Sequence, residues 1–271
     1  MSRRGVFVQR ALVLILLLTT VIFFSGCSNV FSSAQNTFAP DGSVAGKQRD
    51  LFIMVLWPAF AIFLLVEGMV LYIVLRFRQR KGDDSLPRQV HGNPTIEIAW
   101  TIAPALLLAI IAVPTLAGIV DLGRKPHKDA LRVDVTGFQW NWQFTYPELK
   151  DSSGKALTIT STSGPPELHI PQDREIGLYL HSPDVIHSFW IPKLAGKTDV
   201  IPGRINHMWI KSDTPGDYSG QCAEFCGMGH AQMRFRVIVE SQQDFDAWLQ
   251  SKGVTESAPA GDAAQAAGAT E

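Results

Sequence analysis

Cysteine is scarce in this chain, with three among 271 residues, and no C-x-x-C-H run occurs anywhere. That absence excludes a covalently attached c-type haem. The close pair, Cys222 and Cys226, has three residues between its thiols, where structural zinc sites commonly have two. A large charge of one sign is also missing: the net charge is −1, so no basic surplus is available to hold nucleic acid. The near-neutral total hides an asymmetry. Residues 1–120 carry 10 Lys and Arg against 6 Asp and Glu, whereas residues 121–271 carry 14 against 19. An acidic second half attracts a basic partner and speeds encounter at low salt. The chain is 46% hydrophobic with a mean hydropathy of +0.09, high for a wholly soluble protein and low for one that crosses a membrane many times. A membrane anchor joined to a soluble domain fits both values.

The chain opens with MSRRGVFVQR and an apolar run of about fourteen residues, Ala11 to Phe24, short of the roughly twenty that a bilayer span needs. Residues 1–26 therefore read as a cleaved signal, the alternative being an uncleaved third helix. Cys27, after Ser25 and Gly26, resembles a bacterial lipoprotein processing site, at which the cysteine is lipidated. Residues 27–49 form a polar linker without periodicity. Residues 50–121 hold two long apolar runs, Leu51 to Phe77 and Ile96 to Val120, separated by Arg76, Arg78, Arg80, Lys81 and Arg88. Positive charge in so short a loop puts it in the cytoplasm and both flanks of the hairpin outside. Trp57, Tyr72 and Trp100 sit towards the span ends, where aromatic rings favour the interface. Glu67 lies inside the first run, where an ionisable group is costly and faces a partner or water; it reads either as a protonated or paired structural residue or as one with a role in proton traffic.

From residue 122 to 253 the pattern changes to short β-branched and aromatic runs, LRVDVTGFQWNWQF, ALTIT, ELHI, EIGLYLH, INHMWIK and MRFRVIVE, punctuated by turn residues. Such runs predict strands of an all-β sandwich or barrel. SQQDFDAWLQSKG predicts a closing helix with Ser241 as its N-cap and Gly253 as its stop. The tail, 254–271, is rich in Ala and Gly and has too little apolar mass to fold alone.

The stretch QCAEFCGMGHAQM, Gln221 to Met233, carries the chemistry. Cys222, Cys226, His230 and Met233 fall within one loop's length, a set of soft and borderline ligands that favours copper and is poor for magnesium. On the oxidising side of a membrane two cysteines also form disulfides, and spacing alone does not separate bridge from metal site. The nearby His and Met favour the metal, since a bridge needs neither.

The pattern C-x-E-x-C-x-x-x-H-x-x-M, with His187 in the upstream DVIHSFW, the aromatic run GFQWNWQF, the segment KTDVIPGRIN and the preceding apolar hairpin, resembles cytochrome c oxidase subunit II. The resemblance implies a cupredoxin-like Greek-key barrel preceded by a two-helix transmembrane hairpin. It implies a binuclear copper A centre bridged by Cys222 and Cys226, with His187 and Met233 completing one copper and His230 and the Glu224 carbonyl the other. The Glu224 side chain would help hold magnesium at the interface with subunit I, in place of an ordinary surface acid. Trp140 would be where electrons enter, although a lone Trp is by default a core aromatic. This chain has Asn141 where many relatives carry another aromatic. Glu97 would stand at the mouth of a proton path, or be a plain helix-start carboxylate. Asp184, Glu148, Asp151 and Asp173 are candidate docking acids for cytochrome c; the other histidines, at 91, 127, 169, 181 and 207, match no ligand position.

Function by resemblance is that of a subunit of a haem–copper oxidase, with haem only in the partner subunit I and with subunit III as a further partner. It would sit in the plasma membrane of a bacterium with the copper domain on the outer side. A quinol oxidase subunit of this fold would lack the ligands, a subunit serving nitric oxide reduction would look nearly the same, and a copper-delivery protein would need neither Trp140 nor the hairpin.

Overall fold

The computed structural model describes residues 14–15, 17–21, 33–79, 82, 89 and 92–254, which fall into two compact units. Cys27, most of the leader, Arg80, Lys81, Arg88, His91 and the tail from 255 onward lie outside the described residues.

One unit, Gly46–Arg124, is built from two helices, α1 (Ser43–Arg76, 34 residues) and α2 (Pro94–Leu122, 29 residues). Both are long and apolar enough to cross a membrane, and their apolar stretches are exposed on every face. A helix that is apolar all round requires a covering of lipid or protein. At 1.5 Å per residue α1 is about 51 Å long against a hydrocarbon core of about 30 Å. Part of the excess lies in its first turns, Ser43 to Asp50, where Lys47, Arg49 and Asp50 are placed, so the helix begins before the expected residue 50. Asn93 caps α2, its side chain accepting from the Thr95 and Ile96 amides, and Pro94 sits where its missing N–H costs nothing. Glu97 Oε1 accepts from the Asn93 amide at 3.2 Å, so this acid returns a hydrogen bond to the capping residue at the helix start.

The other unit is a β-sandwich. Its strands are β1 (Leu131–Phe138), β2 (Asn141–Lys150), β3 (Ala156–Ile159), β4 (Glu167–Pro171), β5 (Ile176–His181), β6 (His187–Trp190), β7 (Lys197–Val200), β8 (Asn206–Ile210), β9 (Gly216–Cys222) and β10 (Arg234–Glu240). They form two five-stranded sheets in the orders β3-β2-β1-β5-β8 and β4-β10-β9-β6-β7, with β1 parallel to β5 and β4 parallel to β10. Burial alternates with the strand period: Leu131, Val133 and Val135 on β1, Trp142, Phe144 and Tyr146 on β2, Phe235, Val237 and Val239 on β10 all point inward. The expected run Leu131 to Phe144 is a hairpin, not one strand, turning at Gln139 and Trp140.

Between the sheets Phe189 stacks on Phe235 with centroids 4.2 Å apart, and Trp142 and Phe144 meet both rings edge-on. Gly220, opposite Phe235 on β9, has room for nothing larger, because a Cβ there would lie 2.1 Å from the Phe235 ring. Helix α3 (Gln242–Ser251) closes one flank as expected. Ser241 Oγ accepts from the Asp244 amide, Phe245 and Leu249 are buried, and Gly253 turns the chain with φ +74°.

Residues 33–42, expected as part of an irregular linker, are instead turns laid against the β-sandwich. The Asp41 and Gly42 amides bond the Lys193 carbonyl, the Ser43 amide bonds that of Lys211, Ser212 Oγ donates to the Asp41 carbonyl, and Asp41 pairs with Lys193 at 2.5 Å.

Gly220→Ala should destabilise the sandwich by about 1–3 kcal/mol through overpacking. Denaturant unfolding of the detergent-solubilised chain, followed by near-ultraviolet circular dichroism, measures it.

Candidate metal centre

Strand ends bring the ligand residues together. His187 opens β6, Cys222 closes β9, and Met233 immediately precedes β10. The Cys222 amide donates to the Met233 carbonyl at 2.9 Å, closing the neck of the loop between β9 and β10, and the Ala223 amide donates to Ser188, tying that neck to β6. Inside the loop Gly227 adopts φ +118°, and a 3-10 turn, His230–Gln232, lifts His230 back over the thiols.

Cys222 and Cys226 are buried, free thiols with their sulfurs 3.8 Å apart. A disulfide needs about 2.05 Å. Two thiolates bonded at about 2.3 Å to one tetrahedral metal lie about 3.8 Å apart, so the spacing fits shared metal ligation. His187 Nδ1 is 3.9 Å from Cys222 Sγ, His230 Nδ1 is 3.7 Å from Cys226 Sγ, Met233 Sδ is 3.7 Å from Cys226 Sγ, and the Glu224 carbonyl is 3.2 Å from Cys222 Sγ. His187, Cys222, Cys226 and Met233 form a buried group able to hold copper, and all six expected donors converge on it.

Asp184 Oδ1 lies 2.9 Å from His187 Nε2, which fixes the ring and leaves Nδ1 as the nitrogen facing the sulfurs. Burial opposes charge on His187, but the Cys222 thiol and then Asp184 outweigh it and raise its pKa. Burial likewise opposes the Asp184 carboxylate, yet His187 and the Gln139 and Val185 amides together lower its pKa. For Cys222 burial is outweighed by His187 and neighbouring backbone groups, and its pKa falls to about 6. Burial and then the ionised Cys222 push Cys226 up to about 12. Two like charges in one dry space cannot both form without a cation between them.

Trp140 is at this site, not in the core. It is 42% exposed, its Nε1 donates to the Cys226 carbonyl at 3.2 Å, and its ring lies so close over Gly229 that a Cβ there would come within 2.5 Å of Cγ. The core indole is Trp142, whose ring meets His187 at 6.0 Å and whose Nε1 points to the Met233 carbonyl. The Glu224 side chain is exposed beside Phe225 and Met228, an apolar rim that ligand spacing did not reveal.

Of the four candidate docking acids only Asp184 is at this end. Strand β1 runs from Leu131 to its copper-side end at Phe138, and Leu131 pairs with Ile176, so Asp173, in the turn before β5, stands at the opposite end. Glu148 and Asp151 are at the far end of β2, about 25 Å or more from Trp140 along the strand. Asp151 bonds Ser153 and Lys155 in its own turn, and the Ser153 hydroxyl foremost holds its carboxyl below the usual range. Glu97 belongs to the helical unit, and Cys27 lies outside the described residues. Sequence reasoning missed Gln139, whose side chain reaches the Cys226 carbonyl; no local spacing signals a contact between residues 87 positions apart.

Two family profiles match the chain: "Cytochrome C oxidase subunit II, periplasmic domain" over residues 131–242 and "Cytochrome C oxidase subunit II, transmembrane domain" over residues 32–117. The chain is 35% identical over 234 residues to a cytochrome c oxidase subunit 2 of Alkalihalophilus pseudofirmus, covering 84% of this chain and 65% of that one. It is 33% identical over 253 residues to a probable cytochrome c oxidase subunit 2 of Rickettsia bellii, covering 88% and 92%. It is also 33% identical over 256 residues to a quinol oxidase subunit 2 of Bacillus subtilis, covering 90% and 74%.

In the reduced, metal-free protein near pH 8, Cys222 is ionised and Cys226 keeps its proton. Cys226→Ser should therefore leave the ultraviolet thiolate absorbance of the metal-free protein near pH 8 unchanged; loss of one thiolate per chain contradicts the split.

Proposed function

The chain belongs to the cytochrome c oxidase subunit II family, and we propose that it takes electrons singly from reduced cytochrome c at a binuclear copper A centre and passes them to haem in subunit I. As a member of that family it is a membrane subunit of a haem–copper oxidase, with two spans and a periplasmic-type domain. Oxygen reduction and proton pumping belong to subunit I, and subunit III is a further partner. The membrane is the plasma membrane of a bacterium, with Cys27 as a lipidated N-terminus.

The observation that carries this reading is the complete donor set: two thiols 3.8 Å apart with two imidazole nitrogens, a thioether and a carbonyl around them. Overall identity does not choose between donors, because relatives named for cytochrome c and for quinol match equally well. A quinol-oxidising relative has no use for an outer soft-metal site, and by the family resemblance lacks it.

A copper pair held by Cys222, Cys226, His187, His230, Met233 and the Glu224 carbonyl would supply one-electron chemistry at this site. The chain's residues do the rest. The sandwich clamps the ligands so that geometry need not rearrange, and Asp184 keeps His187 aimed. The buried aromatics exclude water. Trp140 offers an exposed ring hydrogen-bonded to a ligand's own carbonyl. The donor would give up one electron and the bound copper would take it, while the chain's own residues move no proton. The exposed Glu224 carboxylate suits a hard ion such as magnesium at the subunit I interface, while its carbonyl faces the sulfurs. Glu97, at the start of α2, is proposed for the mouth of the proton path of subunit I.

The test is copper content and electron spin resonance of the purified subunit. Two coppers per chain and the hyperfine pattern of one electron shared by two nuclei are expected, with fast reduction by reduced cytochrome c. One copper per chain, or no reduction by the haem protein, overturns the proposal. Met233→Leu should keep the fold and both metals while shifting the potential and slowing turnover; complete loss of metal would contradict its role as a weak outer ligand.

A further inference from the structure

Gln139 stands at the β1–β2 turn immediately before Trp140 and uses both of its amides at the site. Its main-chain N–H donates to Asp184 Oδ2 at 2.7 Å, while the other oxygen of that carboxylate holds His187 Nε2 at 2.9 Å. Its side-chain Nε2 donates to the Cys226 carbonyl at 2.8 Å, and the same oxygen accepts Trp140 Nε1 at 3.2 Å. One carbonyl oxygen has two lone pairs, and both are taken. The chain of bonds runs from the ligand His187 through Asp184 and Gln139 to the ligand Cys226.

The residue that follows that carbonyl makes the double contact sterically feasible. A Cβ at Gly227 would stand 3.1 Å from Trp140 Nε1 and 3.2 Å from Gln139 Nε2, so any larger residue crowds both donors at once. The turn and the loop therefore fit closely at the Cys226 peptide as well as at Gly229, and that peptide is two covalent steps from the sulfur-bearing side chain.

We propose that Gln139 is a positioning residue for electron uptake: its side-chain amide holds the Cys226 carbonyl against the Trp140 indole, keeping the exposed ring on a short hydrogen-bonded path to a copper ligand. The proposal rests on the reading of Trp140 as the point where electrons enter. The amide moves no electron and no proton itself; its N–H bonds stay intact while one electron passes from the donor haem to the copper pair. Without it, one lone pair of the carbonyl is freed and the indole loses its fixed partner geometry.

The test uses the assembled oxidase purified with its partner subunits. Gln139→Leu should keep the copper content and spin resonance signal, leave KM for reduced cytochrome c unchanged and lower the rate of copper reduction by that donor about tenfold, the lower end of the usual effect of a supporting hydrogen bond. Reduction by a small solution reductant, which need not pass through Trp140, should keep its native rate. A readout independent of turnover is hydrogen exchange at the Trp140 indole in the metal-free subunit, assigned by its absence in Trp140→Phe; it should be faster in the leucine variant. If that variant does not load copper, Gln139→Glu, which keeps the volume and removes the N–H, is measured instead. Native donor rate and native indole exchange overturn the proposal. A raised KM with unchanged limiting rate also overturns it, because Gln139 would then be a docking contact. If Trp140→Phe itself leaves donor reduction untouched, the underlying reading of Trp140 fails; if Trp140→Phe slows it and the Gln139 variants do not, only the positioning role fails.

Discussion

Two thiol groups held side by side out of water, close enough to share a cation and too far apart to join, are the constraint that the rest of the structure serves. Without a cation only one of them gives up its proton, since a pair of bare thiolates in a dry space repel strongly. Their separation of 3.8 Å is maintained by backbone, not by the sulfurs. The neck bond from the Cys222 amide to Met233 fixes where the loop starts and ends, and the bond from Ala223 to Ser188 fixes it against the neighbouring strand. The site's precision therefore comes from strand pairing, which is cooperative and rigid.

Beneath the loop, the stacked and edge-on rings of Trp142, Phe144, Phe189 and Phe235 carry that rigidity into the core. Trp142 is the common member: it packs on the rings below and meets His187 above. Two tryptophans two positions apart thus have opposite duties, Trp142 turned inward by the strand period and Trp140 left outside by the turn. A period of two alone would give both the same face; the turn at Gln139 and Trp140 is what takes Trp140 out of the pattern.

Much of this was legible in the sequence, and what was not has a physical reason. Cys222, Cys226, His230 and Met233 were readable because one loop carries them; His187 lies 35 positions from Cys222 and was assigned only through the family's motif. The long alternating strands were visible, but β6, β7 and β9 were not, because HSFW and KTDV are short and GDYSGQC is made mostly of small and turn-forming residues and ends on a ligand. Asp184 read as a surface acid because its type and loop position suggest one; that its carboxylate is spent on His187 and Gln139 depends on a contact across 45 residues. Glu148, Asp151 and Asp173 had the same composition signal, and only topology separates them from Asp184. Residues 33–42 have no apolar periodicity and so gave no sign of docking, since they attach through backbone and side-chain hydrogen bonds and one ion pair.

That docked segment has a consequence for the order in which the molecule is made. Ser212 and Asp41 are 171 positions apart, so the early residues leave the ribosome long before their seat exists. At about 5–20 residues per second the wait is on the order of ten seconds or more. Contacts of such high sequence separation form late. A segment that must linger unpaired is safest when it is polar, and the very lack of hydrophobic pattern that hid its docking is what lets it wait without sticking to anything else.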